Sequence, residues 1–227
     1  MSILVSYRKN IIVTTLLLVT FAVAGAALVG ITFKQTADAI IENEKRTLLK
    51  KLNNIVPADS YNNNLLHDTT VVKANNFLGT DEDTLAYRAR IDKQNVAVVL
   101  SSVAPNGYNG PIHMLVGIYA SGKLAGVRIV KHRETPGLGD VISISKSNWI
   151  LGFDNRSLSD PKEKYWKVKR DGGVFDQFTG ATITPRAVVE AVHDALLYFE
   201  ENQKILFHLP AEHEPDENIA TDEAKQS

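Results

Sequence analysis

The N-terminal part of the sequence is an uninterrupted apolar segment, which constrains the fold more than any other feature. From Ile11 to Phe33 the sequence contains no charged residue. A helix of about 20 apolar residues is long enough to cross the hydrocarbon core of a bilayer. A cleaved signal peptide is the alternative, but its apolar core is usually only about 7–15 residues long. We therefore expect residues 11–33 to form a retained transmembrane helix.

The charges on either side of this segment predict its orientation. Arg8 and Lys9 precede it, whereas acidic and basic residues are mixed after it. Positively charged residues flanking a membrane helix are enriched on the cytoplasmic side. We expect residues 1–10 to be cytoplasmic and the bulk of the chain to lie outside the cytoplasmic membrane.

Beyond the membrane segment, the hydrophobic pattern predicts an α+β domain. Residues 34–69 indicate a charged amphipathic helix, ended by Pro57, and a connector. From residue 70 the pattern shortens towards a period of two, typical of strands, and a helical period returns near residue 188. An antiparallel sheet with flanking helices is therefore expected over 70–207, with an acidic disordered tail at 208–227. The predicted strands are 85–91, 95–104, 112–120 and 124–132.

Composition excludes several classes of site. The formal net charge is −1, whereas a general nucleic-acid binder needs a basic surface. The chain has no cysteine, so it cannot form a disulfide, a thiolate metal site or an iron–sulfur cluster from its own residues. No metal site and no catalytic side chain are predicted.

Two glycine-containing loops stand out, although each alone is typical of an ordinary connection. The first is HRETPGLGD at 132–140, and the second is APNGYNGPI at 104–112. Neither has the spacing of a dinucleotide or phosphate-loop motif. Glu134 is expected to pair with Arg128 or Lys131. The basic residues at 131–133 either place positive charge near a ligand or are simply solvated.

A third segment, DQFTGATITP at 176–185, precedes the last helix. Thr184 is a suitable N-cap for that helix, and Pro185 suits its first turn because proline lacks the N–H that is unused there. The helix start does not require residues 179–182. An ordinary capped helix with threonines in its turn is the alternative to a specialised motif.

Together with the apolar segment, these loops resemble the G subunit of Rnf-type (Rsx) ion-translocating electron-transport complexes. A more distant similarity is to the C subunit of the sodium-translocating NADH:quinone oxidoreductase. The resemblance covers nearly the whole chain except the acidic tail. Its most specific part is Asp176–Thr182, which matches the family's flavinylation motif Asp-x-x-Ser/Thr-Gly-Ala-Thr without departure. The resemblance implies FMN attached by a phosphoester to Thr182.

The same resemblance implies the remaining site and its role. Asp176 is expected either to be recognised by the transferase or to hold Mg²⁺. The chain is then an electron carrier of a bacterial inner-membrane complex, with its bulk in the periplasm and no independent catalytic activity. Implied partners are membrane and iron–sulfur subunits and a flavin transferase that uses FAD. Further flavin-binding residues on this basis are Thr179, Gly180, Ala181, Thr184, Thr135, Gly137, Leu138 and Gly139.

Two other functional classes remain open from the residues themselves. One is a membrane-anchored module outside the cytoplasmic membrane that binds a ligand reversibly in the glycine loops. The other is an assembly subunit without a redox role. Both lack a covalent flavin, so flavin fluorescence that survives denaturation distinguishes them from the electron carrier.

Overall fold

A computed structural model of the chain describes residues 2–208. The predicted tail at 208–227 therefore lies outside the described residues, except for His208. The chain divides into two compact units, the first ending at Leu48 and the second beginning at Leu49.

The N-terminal region forms one helix, α1 (Ser2–Asn53), where the sequence predicts a membrane helix followed by a separate amphipathic helix. Between Ile12 and Asn53 it contains a stretch that is long and apolar enough to cross a membrane, with a mean hydropathy of 2.4 and no buried side chains. Its polar side chains are compatible with such a setting. The Thr20 hydroxyl, for example, donates to the Leu16 carbonyl one turn earlier at 2.8 Å, so it needs no water.

The second unit contains a five-stranded antiparallel sheet in which each strand pairs with the next along the chain. The predicted strands are confirmed to within one or two residues at their ends. The first strand was not predicted, because four residues are too few to show alternation. Asp92 and Lys93 turn between the second and third strands with φ of 49° and 68°, as a two-residue hairpin requires. The strands are β1 (Thr69–Val72), β2 (Thr84–Ile91), β3 (Gln94–Ala104), β4 (Ile112–Tyr119) and β5 (Leu124–Lys131).

A long helix, α2 (Ile183–His208), covers the sheet and closes the core. It packs against β3 and β4. The predicted apolar face is confirmed, because its members are all buried. That face consists of Val188, Val192, Ala195, Leu196 and Phe199.

The segment between β5 and α2 is held by short 3₁₀ turns and an aromatic cluster. The ring of Phe153 stacks on Phe175 with centroids 4.5 Å apart, and Trp166 packs beside both. This cluster supports the chain that leads into residues 176–182. The 3₁₀ turns are Asp140–Ile142, Trp149–Phe153, Glu163–Tyr165 and Lys169–Asp171.

Residues before the sheet also belong to its core. Leu52, Ile55, Val56 and Leu65 are fully or almost fully buried. The end of the predicted amphipathic helix and the connector after it therefore contribute apolar surface to the second unit, which begins at Leu49.

Two arginines on β2 hold the far end of α2. Arg88, 1% exposed, donates to Asp68 at 2.6 Å and to the Leu206 carbonyl at 3.5 Å. Arg90 donates to the Phe207 carbonyl at 2.9 Å. The last carbonyls of a helix have no partner within it, so these arginines satisfy two of them and fix α2 to the sheet.

Candidate functional site

The motif segment forms a tight turn just before α2. The Ala181 N–H donates to the Phe178 carbonyl at 3.2 Å, and Gly180 has φ of 83°. A type II turn needs a residue with positive φ at its third position, and glycine adopts this conformation without steric cost. A Cβ on Gly180 would lie 3.5 Å from Leu138 Cδ2. The turn therefore lies directly beside the 132–140 loop, as the family resemblance implies.

The helix begins earlier than predicted, and the assignment of Thr184 as its N-cap is wrong. Because α2 starts at Ile183, Thr182 is the residue immediately before it and Thr184 lies inside the first turn. Thr184 is fully buried, and its hydroxyl donates to Glu134 Oε2. A buried carboxylate thus takes the hydroxyl that the sequence assigned to the helix backbone.

The three threonines around the turn have different environments. Thr179 is exposed, Thr182 is half-buried and Thr184 is fully buried. Among the hydrogen bonds of residues 2–208, none involves the hydroxyl of Thr179 or Thr182. Thr182 alone therefore combines an accessible hydroxyl with a position at the helix start.

Glu134 is the central contact between the three unusual segments, which the sequence did not indicate. Its side chain is 4% exposed. Oε1 accepts the Asn109 N–H at 3.1 Å, from the 104–112 loop, and Oε2 accepts the Thr184 hydroxyl at the start of α2. The two glycine loops and the motif thus meet at one carboxylate.

The predicted pairing of Glu134 with Arg128 or Lys131 is wrong. Arg128 instead donates to the Asn54 carbonyl at 2.6 Å, and Lys131 is exposed. Burial lowers the pKa of Arg128 and raises the pKa of its neighbour Asp154. The sequence gives no signal for the actual partners of Glu134 and Arg128, because those partners come from distant segments of the chain.

The 132–140 loop is a compact turn that depends on two glycines. The Thr135 carbonyl accepts the N–H groups of Leu138 and Gly139 at 3.1 and 3.0 Å. Gly137 has φ of 77°, and its N–H donates to Asp140 Oδ1 at 2.8 Å. A Cβ on Gly139 would lie 2.8 Å from Glu134 Oε2, so no larger residue fits there without displacing the carboxylate.

His132 is held by contacts with the backbone of Glu134 and with Ser143. Its Nδ1 accepts the Glu134 N–H at 3.2 Å, and its Nε2 lies 3.0 Å from Ser143 Oγ. Both ring nitrogens of His132 are therefore engaged by neighbouring groups. Lys131 and Arg133 are both exposed.

Asp176 lies at the start of the motif, with its side chain directed to a cation. Its Oδ1 is 2.5 Å from Lys169 Nζ, and its carbonyl accepts the indole N–H of Trp149 at 2.8 Å. Trp149 also packs edge-on against Phe178, with centroids 5.1 Å apart. Trp149 is a supporting residue that the sequence did not identify. Within residues 2–208 there is no cluster of three or more side chains able to hold a metal ion.

Apolar side chains are exposed on both sides of the accessible threonine. Leu138, beside Gly180, is 44% exposed, and Ile183, next to Thr182, is 48% exposed. Tyr108 in the 104–112 loop is 63% exposed. A flat aromatic group tethered at Thr182 would find apolar surface here.

Comparison with known proteins agrees with this arrangement. Residues 107–197 match the FMN-binding domain family, and residues 1–55 match the RnfG N-terminal region. The FMN-binding match includes the motif turn, the 132–140 loop and the first part of α2.

Curated relatives are similar over most of their length. The G subunit of the ion-translocating oxidoreductase complex from Pseudomonas aeruginosa is 47% identical over 88% of this chain and 93% of its own. Proteins of the same name from Vibrio cholerae and Shewanella loihica are 44% and 43% identical, over 91% and 90% of this chain and 97% and 96% of theirs. The chain therefore belongs to the family of G subunits of ion-translocating oxidoreductase complexes and carries an FMN-binding domain.

Proposed function

We propose that the chain is the electron-carrying G subunit of a membrane-bound ion-translocating oxidoreductase complex, with FMN attached by a phosphoester to Thr182. The observation that carries this proposal is the difference between the threonines around the start of α2. The Thr182 hydroxyl is accessible and has no hydrogen-bond partner among the described residues, whereas the Thr184 hydroxyl is buried against Glu134. Thr179 is also exposed, but only Thr182 combines an accessible hydroxyl with a position at the start of α2, which favours it as the attachment residue.

A separate transferase attaches the flavin and uses FAD as the donor. The Thr182 hydroxyl oxygen forms the bond to phosphorus, the pyrophosphate bond of FAD breaks, and AMP leaves. The hydroxyl proton is released to a base of the transferase or to solvent. Ala181 and Gly180 are small, which leaves the hydroxyl open to the modifying enzyme.

The start of α2 suits the phosphate of the product. In a helix beginning at Ile183, the N–H groups of Arg186 and Ala187 bond to carbonyls four residues earlier, so they are not the free donors that a start at Pro185 would give. The N–H group of Ile183, an exposed residue, remains for an anion, whereas Thr184 is fully buried. The Ile183 N–H and the positive end of the helix dipole favour a phosphate at this position.

The residues on both sides fit the rest of the cofactor. Thr135 and Gly137 have accessible surface, Leu138 presents apolar surface beside the motif turn, and Gly139 is buried against Glu134. When bound, FMN supplies one- and two-electron redox chemistry. The side chains hold it in place and leave part of it exposed to redox partners, since covalent attachment removes the need to bury it.

The proposed location is supported by the apolar helix and by the charges that precede it. The apolar part of α1 anchors the chain in the bacterial inner membrane, and the positive charge at Arg8 and Lys9 favours a periplasmic location for the second unit. A reporter active only outside the cytoplasm should function when fused to the C-terminus. Activity of a strictly cytoplasmic reporter at that end would contradict this topology.

The proposal is tested by the mass of the purified full chain, produced with a flavin transferase. We expect the addition of one FMN phosphoester, together with yellow fluorescence that survives denaturing electrophoresis. Co-purified iron–sulfur subunits would distinguish this complex from the sodium-translocating quinone reductase. An unmodified chain would instead favour reversible ligand binding or an assembly role.

A further inference from the structure

We propose that Glu134 is a positioning residue of the flavin site: its buried carboxylate fixes the start of α2 against both glycine loops and sets the electrostatic field behind the flavin. This inference rests on the proposed function. It concerns a residue that neither the attachment chemistry nor the motif accounts for.

The contacts of Glu134 join the parts that the flavin site needs. Its Oε2 accepts a hydrogen bond from the hydroxyl of Thr184, which is two residues after the attachment threonine. Its Oε1 accepts a hydrogen bond from the backbone N–H of Asn109. The side chain of Asn109 also donates through Nδ2 to Thr135 Oγ1 at 3.2 Å. One side chain therefore sets the position of the Thr182 hydroxyl relative to the loop that begins at Thr135.

The carboxylate has little freedom to move. A Cβ on Gly107 would lie 2.9 Å from Oε1, and a Cβ on Gly139 would lie 2.8 Å from Oε2. Glycine backbone thus closes over both oxygens. Because Gly107 and Gly139 have no side chains, the space beside them is left for the glutamate side chain.

The contacts of Glu134 use both of its carboxylate oxygens. Both oxygens accept hydrogen bonds, whereas a glutamine in the same place has only one acceptor oxygen. No salt bridge among residues 2–208 includes Glu134. Burying a charge without a counter-ion is costly.

The position of this charge gives it an effect on the flavin. It lies directly behind Gly139, in the loop that we assign to flavin contacts. A negative charge there opposes the gain of electrons by the flavin, because reduction increases the electron density of the ring. Removing the charge should therefore raise the midpoint potential of the attached flavin.

The experiment compares three variants of the full chain, and one control variant, with wild type. Glu134→Gln removes the charge and keeps the size, Thr184→Val removes the hydroxyl that contacts it, and Thr184→Ser restores a hydroxyl. Glu190→Gln is the matched control, because it removes an exposed glutamate from α2, the helix that carries Thr184. Each protein is incubated with FAD and the transferase, and attachment rate, visible spectrum and midpoint potential are measured.

We expect Glu134→Gln and Thr184→Val to be modified about tenfold more slowly, since small displacements of a reacting group reduce rates strongly. Thr184→Ser should recover most of the rate. The midpoint potential should rise in Glu134→Gln and stay unchanged in Glu190→Gln. If Glu134→Gln does not fold, Thr184→Val decides through its rate and spectrum.

The inference is overturned if the variants attach flavin at the wild-type rate with a wild-type spectrum and potential, whatever their thermal stability. That result would make Glu134 a structural link only. Failure of the proposed function is a different observation, because the wild-type chain itself would then acquire no FMN.

Discussion

Thr184 and Glu134 are joined by a buried hydrogen bond across 50 residues of sequence. The bond connects the first turn of α2 to the loop that follows β5. Because the Asn109 N–H binds the same carboxylate, three segments that are distant in sequence share one polar contact. This contact sets the position of the proposed attachment threonine.

Thr184→Val should destabilise the second unit. The change keeps the shape of the side chain but leaves a buried carboxylate oxygen without a donor, which costs about 1–3 kcal/mol. The measurement is urea unfolding of the full chain in detergent. Thr184→Ser keeps the hydroxyl and should lose less. Equal stability of the valine variant and wild type would show that the bond contributes nothing.

The two glycines of the 132–140 loop should respond differently to alanine. Gly137 has open space around it, so Gly137→Ala introduces only the strain of a positive φ, about 1–2 kcal/mol. Gly139→Ala places a methyl group within 3.0 Å of Glu134 and Thr184, so it should reduce both stability and flavin attachment. Thermal unfolding and intact mass measure the two effects. Equal attachment in both variants would contradict the packing around Gly139.

Arg88→Met should destabilise the second unit by about 3 kcal/mol, because removing one partner of a buried ion pair leaves an uncompensated charge on Asp68. Arg90 remains near that carboxylate and limits the loss. The change also removes a donor from the end of α2. Lys73→Gln is the control, since its pair with Asp83 is exposed and should have no measurable effect. A loss no larger than that of the control would refute the role of Arg88.

Asp194→Asn should stabilise the chain at neutral pH and lose this effect in acid. Burial raises the pKa of Asp194, with a smaller opposing influence from His193. A carboxyl with a raised pKa in the folded state contributes stability below its unfolded pKa, about 3.9, and loses that contribution as pH rises through its folded pKa. The difference in unfolding free energy between variant and wild type should therefore be positive at pH 7 and shrink towards zero below pH ~4. A difference independent of pH would contradict the burial effect.

Local patterns predicted most of the fold. The alternation in β2–β5 and the apolar face of α2 were sufficient, because each reflects burial against one sheet. The continuity of α1 across residue 34 was not predicted, since the change from apolar to charged residues suggested a boundary where the backbone has none. β1 was too short to recognise.

The site was predictable only where it is local. The turn at Gly180 follows from its own sequence, and the family resemblance singled out Thr182. The partners of Glu134 were missed because Asn109 and Thr184 lie in other segments, and nothing in a glutamate's neighbours reveals burial. The same reason explains the N-cap error, because Thr184 has the right chemistry for a cap but a buried acceptor takes its hydroxyl.

The central claim is that the Thr182 hydroxyl carries the flavin. Thr182→Val keeps the branched shape and removes the oxygen, so stability should change by no more than about 0.5 kcal/mol, as for other substitutions outside the core. The measurement is the intact and peptide mass of wild type, Thr182→Val, Thr182→Ser and Thr179→Ala, each produced with the transferase. We expect FMN on the peptide containing Thr182 in wild type and Thr179→Ala, none in the valine variant and retained modification in the serine variant. FMN still bound in Thr182→Val, or a mass shift mapped to Thr179 or Thr184, would contradict the account.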